Sequence, residues 1–68
     1  MNVGIIGSGG REHSICFAIN KSEKVKKIYC FPGNAGTADI ATNIDINLDD
    51  FIKLKEFVLK NKIDLIIV

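Results

Sequence analysis

The sequence predicts an α/β fold, a Rossmann-like open sheet of largely parallel strands with helices between them. Short apolar runs recur along the 68 residues, and stretches with helical spacing of apolar residues separate them. The first apolar run also passes through glycines directly into a helix start. Right-handed crossovers join parallel strands in such an order. We therefore expect the element order β-α-β-β-α-β.

The first strand and helix fall within the first 21 residues. Residues 3–6 are a short apolar run that stops at Gly7, as expected of a buried parallel strand. Residues 7–10 form the turn. A helix should follow from Arg11 to about residue 21, because Ile15, Ala18 and Ile19 have i, i+3, i+4 spacing.

The middle of the chain predicts two further strands. Residues 25–31 are rich in β-branched and aromatic side chains, and the Pro32-Gly33 pair ends them. Residues 32–38 (PGNAGTA) are small and predict a loop. An alternating pattern then predicts a short third strand around residues 43–46, with the alternating positions Ile40, Thr42, Ile44 and Ile46.

The last third of the chain predicts a second helix and a fourth strand. Asn47 or Asp49 can cap the helix, which should extend through about residue 60 with lysines in its last turn and Asn61 as its C-cap. Residues 63–68 are an apolar run and predict the strand. The expected buried side of the helix consists of Leu48, Phe51, Ile52, Leu54, Val58 and Leu59.

The chain is expected to be one domain, residues 1–68, and an incomplete one. In open α/β sheets, ligands bind outside the carboxyl ends of the strands, and the sequence stops at the end of a predicted buried strand. We therefore expect the sheet to be truncated after its fourth strand, with a further binding loop missing. The open apolar edge also predicts that the isolated piece self-associates.

Composition excludes several classes of function. A net charge of +1, 7% aromatic residues and no basic stripe argue against a nucleic-acid partner. No apolar run approaches the ~20 residues of a membrane span. One histidine with Cys16 and Cys30 is too few for a zinc site, so we expect no metal ligands. We interpret the two cysteines as reduced, buried thiols of a cytoplasmic protein.

The glycine turn does not fit a dinucleotide site. The G-x-G-x-x-G pattern needs a third glycine for close packing of helix and strand, and Glu12 stands there. The second strand ends without the acid that would hold ribose hydroxyls. A dinucleotide-binding fragment of an oxidoreductase is therefore a weak alternative, and no Gly-Lys-Ser/Thr follows to make a Walker loop.

A phosphate site fits the same turn better. Gly9 and Gly10 allow the backbone to approach an anion, the helix N-terminus presents free N–H groups, and Arg11 adds a planar fork for phosphate oxygens. The loop PGNAGTA follows the second strand and should lie at the same sheet edge, which together with the turn makes a cleft. The competing interpretations are simple chain reversal or a non-catalytic, flavodoxin-like interaction module.

Four polar residues near this edge have open roles, and a fifth is expected at the opposite edge. Glu12 could bind ribose hydroxyls or an amine, or only stabilise the helix start. His13 could be a general base, but packing against the strand loop is favoured. Asn34 could position substrate or occupy a left-handed turn. Asp45 should lie on the binding edge, and Asp64 on the opposite edge with a structural role.

The strings GSGGREH and PGNAGTA, with NIDI and KIDLIIV in the same order, resemble the N-terminal domain of the phosphoribosylamine–glycine ligase family. The resemblance runs the length of the chain. It departs at Ser14, where the family usually has alanine, and at Phe31, where a small residue is common. The resemblance implies a fold of the pre-ATP-grasp type.

The resemblance also implies a function. The family joins glycine to 5-phosphoribosylamine in purine biosynthesis, with ATP cleaved to ADP and phosphate through a glycyl phosphate. ATP and Mg²⁺ would be bound by ATP-grasp domains that this sequence lacks, so we expect no catalytic residue here and no activity of this piece alone. Matching the family's motifs residue by residue implies these substrate-binding positions: Gly9, Gly10, Arg11, Glu12, Pro32, Gly33 and Asn34.

Overall fold

The computed structural model describes residues 1–47 and 49–68. It has a four-stranded, all-parallel sheet in the order β3-β2-β1-β4, which confirms the predicted fold class. In chain order the elements are β1 Asn2–Gly7, α1 Gly10–Ile19, β2 Lys27–Pro32, α2 Ala35–Ala38, β3 Thr42–Asn43, α3 Phe51–Lys60 and β4 Leu65–Ile67.

The pairing of β1 with β2 positions the binding edge. These two central strands run side by side from Asn2 opposite Lys27 to Gly7 opposite Pro32. One further hydrogen bond, 3.0 Å from the N–H of Gly33 to the carbonyl oxygen of Gly7, continues the pairing beyond the strand. The loops that follow β1 and β2 therefore leave the sheet next to each other.

Alternate residues of β2 build the two faces of the sheet, as the two-residue period of a strand requires. Ile28 and Cys30 belong to the main apolar cluster, which also contains Cys16 of α1. On the other face, the ring of Phe57 in α3 meets Tyr29 and Phe31 edge-on, with centroids 5.2 and 5.4 Å apart. Both helical layers are thus anchored on the same strand.

The predicted loop 32–38 is wrong at its end, because residues 35–38 form the short helix α2. Asn34 caps this helix: its Oδ1 accepts from the N–H of Thr37 at 3.0 Å, and its own N–H donates to the Thr37 hydroxyl at 2.8 Å. Strand β3 is also shorter than predicted and comprises only Thr42 and Asn43.

The predicted buried side of α3 is partly wrong. Phe51 and Ile52 are each 74% exposed and Leu59 is 68% exposed, whereas Leu54, Phe57 and Val58 are half-buried. The Phe57 ring sets the face that meets the sheet, and at about 100° per residue Ile52 and Leu59 lie on the opposite side.

The ends of α3 follow the capping rules with a different first residue. Asp50, rather than Asn47 or Asp49, caps the helix through the N–H of Lys53 at 3.1 Å. Asn61 is the C-cap, as predicted. The expectation for Leu48 lies outside the described residues.

Asp64 ties β4 to the amino end of β1. Its Oδ2 accepts from the N–H of Asn2 at 2.8 Å, and its own N–H donates to the Asn2 carbonyl, also at 2.8 Å. The placement opposite the binding edge is the one predicted, and so is the structural role.

Both cysteines are free thiols, and the solvent reaches neither of them. Burial, together with a smaller contribution from the adjacent Cys30, raises the pKa of Cys16 to about 11. Burial also raises the pKa of Cys30. Both side chains are therefore protonated at neutral pH and act as packing groups, since the thiolate is the reactive form.

Across the described residues, no helix combines the length and apolar character needed to cross a bilayer.

We predict that Phe57→Ala lowers the free energy of unfolding by about 2–3 kcal/mol, below the usual value for a fully buried Phe because this ring is half-buried. Phe51→Ala in the same helix is the matched control and should change it by less than about 0.5 kcal/mol. Urea unfolding followed by circular dichroism measures both. Equal effects of the two substitutions would contradict the observed anchoring of α3.

The Cys16 thiol predicts a loss of stability at alkaline pH. Its pKa is raised on folding from 9.0 to about 11, so folding favours the protonated form. That stabilisation is fully present below pH 9 and is lost as the pH rises from 9 to 11, with a total of about 1–3 kcal/mol. The unfolding free energy of Cys16→Ala should fall less steeply across this range. Parallel pH profiles of the two proteins would count against the assignment.

Candidate phosphate-binding site

The turn between β1 and α1 is closed by Glu12. Its Oε2 accepts from the N–H of Gly9 at 3.0 Å, which is one half of a capping box. Gly7 has φ +140°, and a Cβ at this position would collide with the Glu12 carboxylate. The carboxylate is therefore folded back onto the turn, in the helix-stabilising position considered for it.

Helix α1 begins at Gly10, one residue earlier than predicted, and its first amides point outward. Among the described residues, no backbone carbonyl or side chain accepts from the N–H of Gly10 or Arg11. Unpaired N–H groups give the start of a helix a partial positive charge that favours anions. A Cβ on Gly10 would meet no atom within 4 Å, so the space over this residue is open.

Arg11 brings an unpaired cation to this positive helix end. The side chain is exposed, and in the described part of the chain no carboxylate lies within ion-pair distance of its guanidinium. A cation is disfavoured by the dipole at a helix N-terminus. A bound anion would remove this conflict, because it would accept hydrogen bonds from both the guanidinium and the backbone amides.

The second loop begins with two residues whose backbone is constrained. The Phe31–Pro32 peptide bond is cis, and Gly33 has φ +78°. A Cβ on Gly33 would collide with Asn43 Oδ1 and would lie 2.7 Å from Thr37 Oγ1. Glycine at position 33 is therefore required by the packing of the protein itself.

Asn34 joins the two loops. Its Nδ2 donates to the carbonyl oxygens of Ser8 at 2.7 Å and Gly9 at 3.1 Å. Because its Oδ1 caps α2, the side-chain amide makes three hydrogen bonds inside the protein, two from Nδ2 and one to Oδ1. Its φ of −149° is extended, which excludes the left-handed turn, one of the two alternatives considered for this residue. The side chain holds the two loops together.

His13 packs against the second loop, as the favoured interpretation expects. A Cβ on Gly36 would lie 2.7 Å from the His13 ring atoms Cε1 and Nδ1. The exposed imidazole thus covers the backbone of α2 and adds a second contact between α1 and α2.

A surface cleft of about 510 Å³ opens beside the turn. Both loops contribute to it, through Ser8 and Pro32, and Asp45 lies at this edge as predicted. The cleft is lined by Ser8, Pro32, Asp45, Ile46, Asn47 and Asp49. It offers carboxylate and amide groups next to the open helix start.

The structure therefore brings the two predicted loops together, with Gly9, Gly10, Arg11 and Glu12 on one side and Pro32, Gly33 and Asn34 on the other. The sequence interpretation gave Ser8, Thr37 and Asn43 no place among the site residues. Thr37 stands three residues after Asn34, and this N-cap spacing could have revealed it. Asn43 comes from β3, nine residues away, and no local pattern indicates it.

The sequence model "Phosphoribosylglycinamide synthetase, N domain" matches residues 1–68. The chain belongs to this family.

Curated relatives named phosphoribosylamine–glycine ligase match nearly the whole sequence. The chain is 50% identical over 68 residues to the phosphoribosylamine–glycine ligase of Caldanaerobacter subterraneus subsp. tengcongensis, and covers 16% of that protein. It is 49% identical over 65 residues to the ligase of Halalkalibacterium halodurans, covering 96% of the chain and 15% of the relative. The chain thus spans about one sixth of the length of these curated relatives.

A solved structure agrees with the family assignment. The crystal structure of phosphoribosylamine–glycine ligase from Thermotoga maritima superposes with a TM-score of 0.64 at 40% identity, over 78% of this chain and 13% of that one. The resemblance drawn from GSGGREH and PGNAGTA is confirmed. The names of the relatives support neither the oxidoreductase nor the flavodoxin-like alternative.

We predict opposite effects of alanine at two glycines of the turn. Gly10→Ala should leave stability unchanged or raise it by up to ~1 kcal/mol, because the residue is helical and its surroundings are open. Gly7→Ala should destabilise by about 1–3 kcal/mol, because φ +140° is strained for alanine and the Glu12 cap is displaced. Thermal unfolding compares the two. A destabilised Gly10→Ala protein would show that the space over Gly10 is filled.

Proposed function

We propose that residues 1–68 form the phosphoribosylamine-binding side of a phosphoribosylamine–glycine ligase, acting as part of a longer protein. The observation that carries the proposal is the junction of the two loops by Asn34, at the carboxyl edge of a domain that belongs to this family. Ligands of open α/β sheets bind at that edge.

The phosphate of the substrate would bind at the start of α1. The N–H groups of Gly10 and Arg11 are free to donate, the helix end is positive, and the Arg11 guanidinium provides a planar pair of donors. Gly10 lets the phosphate approach the backbone closely, because nothing in the protein occupies the space where a side chain would stand.

The sugar and its amine would extend into the adjacent cleft. Ser8 belongs both to the turn and to the cleft, so a phosphate at the turn places the rest of the molecule next to Pro32 and Asp45. A carboxylate accepts hydrogen bonds from hydroxyl and amine groups. The Asp45 carboxylate would accept a hydrogen bond from the amine and so orient it for reaction.

The proposed reaction forms one C–N bond. The amine of 5-phosphoribosylamine attacks the acyl carbon of glycyl phosphate, inorganic phosphate leaves, and a proton is lost from the nitrogen. In this chain, residues bind and orient the sugar phosphate, and none performs a covalent step.

ATP, which supplies the phosphoryl group, and Mg²⁺ are proposed to bind in ATP-grasp segments of the longer protein. We propose a cytoplasmic location for that protein. The described residues contain no group of three His, Cys, Asp or Glu side chains arranged to hold a metal ion, so we derive no step that involves Mg²⁺ for this chain.

The function is tested by a chimeric enzyme. Residues 1–68 replace the matching segment of the Caldanaerobacter ligase, which is 50% identical over this length. The chimera should form ADP only when both glycine and phosphoribosylamine are present. A folded chimera without this activity, beside an active parent enzyme, would refute the proposal.

Arg11→Ala in the chimera should raise the KM for phosphoribosylamine by about 10–100-fold, the usual loss for a hydrogen bond to a charged group. The KM values for glycine and ATP should stay within about twofold, because those substrates do not meet this residue. Lys55→Ala removes an exposed cation of α3 and is the charge-matched control. Equal KM values for both variants would remove Arg11 from the site.

A further inference from the structure

A polar cluster lies behind the two loops, formed by Asn34, Thr37 and Asn43. Thr37 is fully buried, and it is the one buried polar side chain among the described residues. Buried polar groups cost stability unless they are hydrogen-bonded, and every buried polar side-chain atom in the described part of the chain has a partner. The cluster is therefore complete, and its geometry is fixed.

The cluster holds the backbone of Asn34 from both sides. The Asn34 N–H donates to Thr37 Oγ1 at 2.8 Å, and Asn43 Nδ2 donates to the Asn34 carbonyl oxygen at 2.8 Å. The Thr37 hydroxyl has two acceptors within reach, Asn43 Oδ1 at 2.7 Å and the Asn34 carbonyl oxygen at 3.0 Å, and the shorter distance favours Asn43. Asn43 thus sets the position of the Asn34 backbone directly and also through Thr37.

The Asn34 side chain passes this constraint on to the glycine turn. Its Nδ2 donates to the Ser8 and Gly9 carbonyl oxygens and so helps to set their direction, and the Gly9 carbonyl also accepts from the N–H of His13 at 3.2 Å. In a planar trans peptide the following N–H points away from the carbonyl. The N–H of Gly9 accordingly faces Glu12, and that of Gly10 faces away from Asn34 and has no acceptor among the described residues.

We infer that Asn43 is a positioning residue for phosphoribosylamine binding: acting through Asn34 and Thr37, and together with the His13 N–H bond to the Gly9 carbonyl, it sets the direction of the Gly10 amide that meets the phosphate. The inference rests on the proposed function of the turn. The same inference gives Asn34 an indirect role: its side chain holds the turn that binds the substrate and does not bind the substrate itself. Asn43 lies in neither loop and has no direct contact with the turn in this arrangement.

The test uses four substitutions that retain shape. Asn43→Asp keeps the acceptor for Thr37 and loses the donor to the Asn34 carbonyl. Asn34→Asp keeps the α2 cap and places a carboxylate oxygen against the Ser8 and Gly9 carbonyls. Thr37→Val replaces the hydroxyl by a methyl group of similar size, and Thr37→Ser keeps the hydroxyl and loses the methyl group.

The first measurement is made without ligand. Amide NMR spectra of the 68-residue chain should show shifted Gly9 and Gly10 signals in Asn43→Asp, Asn34→Asp and Thr37→Val, and signals close to wild type in Thr37→Ser. A residue that only contacts substrate would leave these signals unchanged. Unchanged Gly9 and Gly10 signals in Asn43→Asp and Asn34→Asp would overturn the inference.

The second measurement uses the chimera. Asn43→Asp and Thr37→Val should raise the KM for phosphoribosylamine by about tenfold, the loss expected for one misdirected hydrogen bond to a charged group, with kcat within about twofold and Thr37→Ser near wild type. A uniform fall in kcat with unchanged KM would instead indicate a general structural effect and overturn the inference.

The two proposals fail differently. If the unsubstituted chimera binds phosphoribosylamine and Asn43→Asp binds it equally well, only the positioning role is refuted. If the unsubstituted, folded chimera is inactive, the proposed function is refuted, and the positioning role with it. Should Asn43→Asp not fold, Asn34→Asp and Thr37→Val carry the same comparison.

Discussion

The parallel pairing of β1 with β2 is the constraint on which the rest of the binding edge depends. Because Gly7 stands opposite Pro32, and Gly33 adds one more hydrogen bond to Gly7, the two strands end at the same level. At this register the amide of Asn34 reaches the carbonyl groups of Ser8 and Gly9. A shift by one residue would also exchange the two faces of β2, on which both helical layers pack.

The glycines near this edge serve two separate purposes. Gly7 and Gly33 have positive φ and lie where a side chain would strike other protein atoms, so the fold itself requires them. Gly10 is the first residue of α1 with empty space above it, so neither a positive φ nor a neighbouring side chain requires glycine there. Its presence is understandable when a ligand, rather than the protein, occupies that space.

The sequence predicted those features that depend on neighbouring residues. Strand and helix positions followed from local apolar patterns, and the two loops were correctly assigned to one edge because parallel strands end together. The buried face of α3 could not be derived in the same way, since it is decided by the contact of Phe57 with β2, a pairing distant in sequence. The helix α2 was missed because Pro-Gly-Asn is equally typical of a turn.

In the candidate site, too, sequence patterns located the features set by neighbouring residues and missed those set by contacts distant in sequence. Patterns located Gly10 and Arg11 at a helix start, which is a local property. The internal use of Glu12 and Asn34 depends on how the two loops meet, and Asn43 enters only through the sheet. Substrate contacts implied by a motif and hydrogen bonds that hold the motif in shape involve the same residue types, and sequence alone does not separate them.

The two buried, unreactive thiols of Cys16 and Cys30 make this chain convenient for chemical labelling. The sequence has only two cysteines, and both are buried and protonated at neutral pH. A maleimide dye or spin label will therefore react with a single cysteine introduced on the surface, without prior removal of the native ones. Pairs of such labels on exposed positions of α1 and α2, for example residues 14 and 35, can report the separation of these two helices in solution.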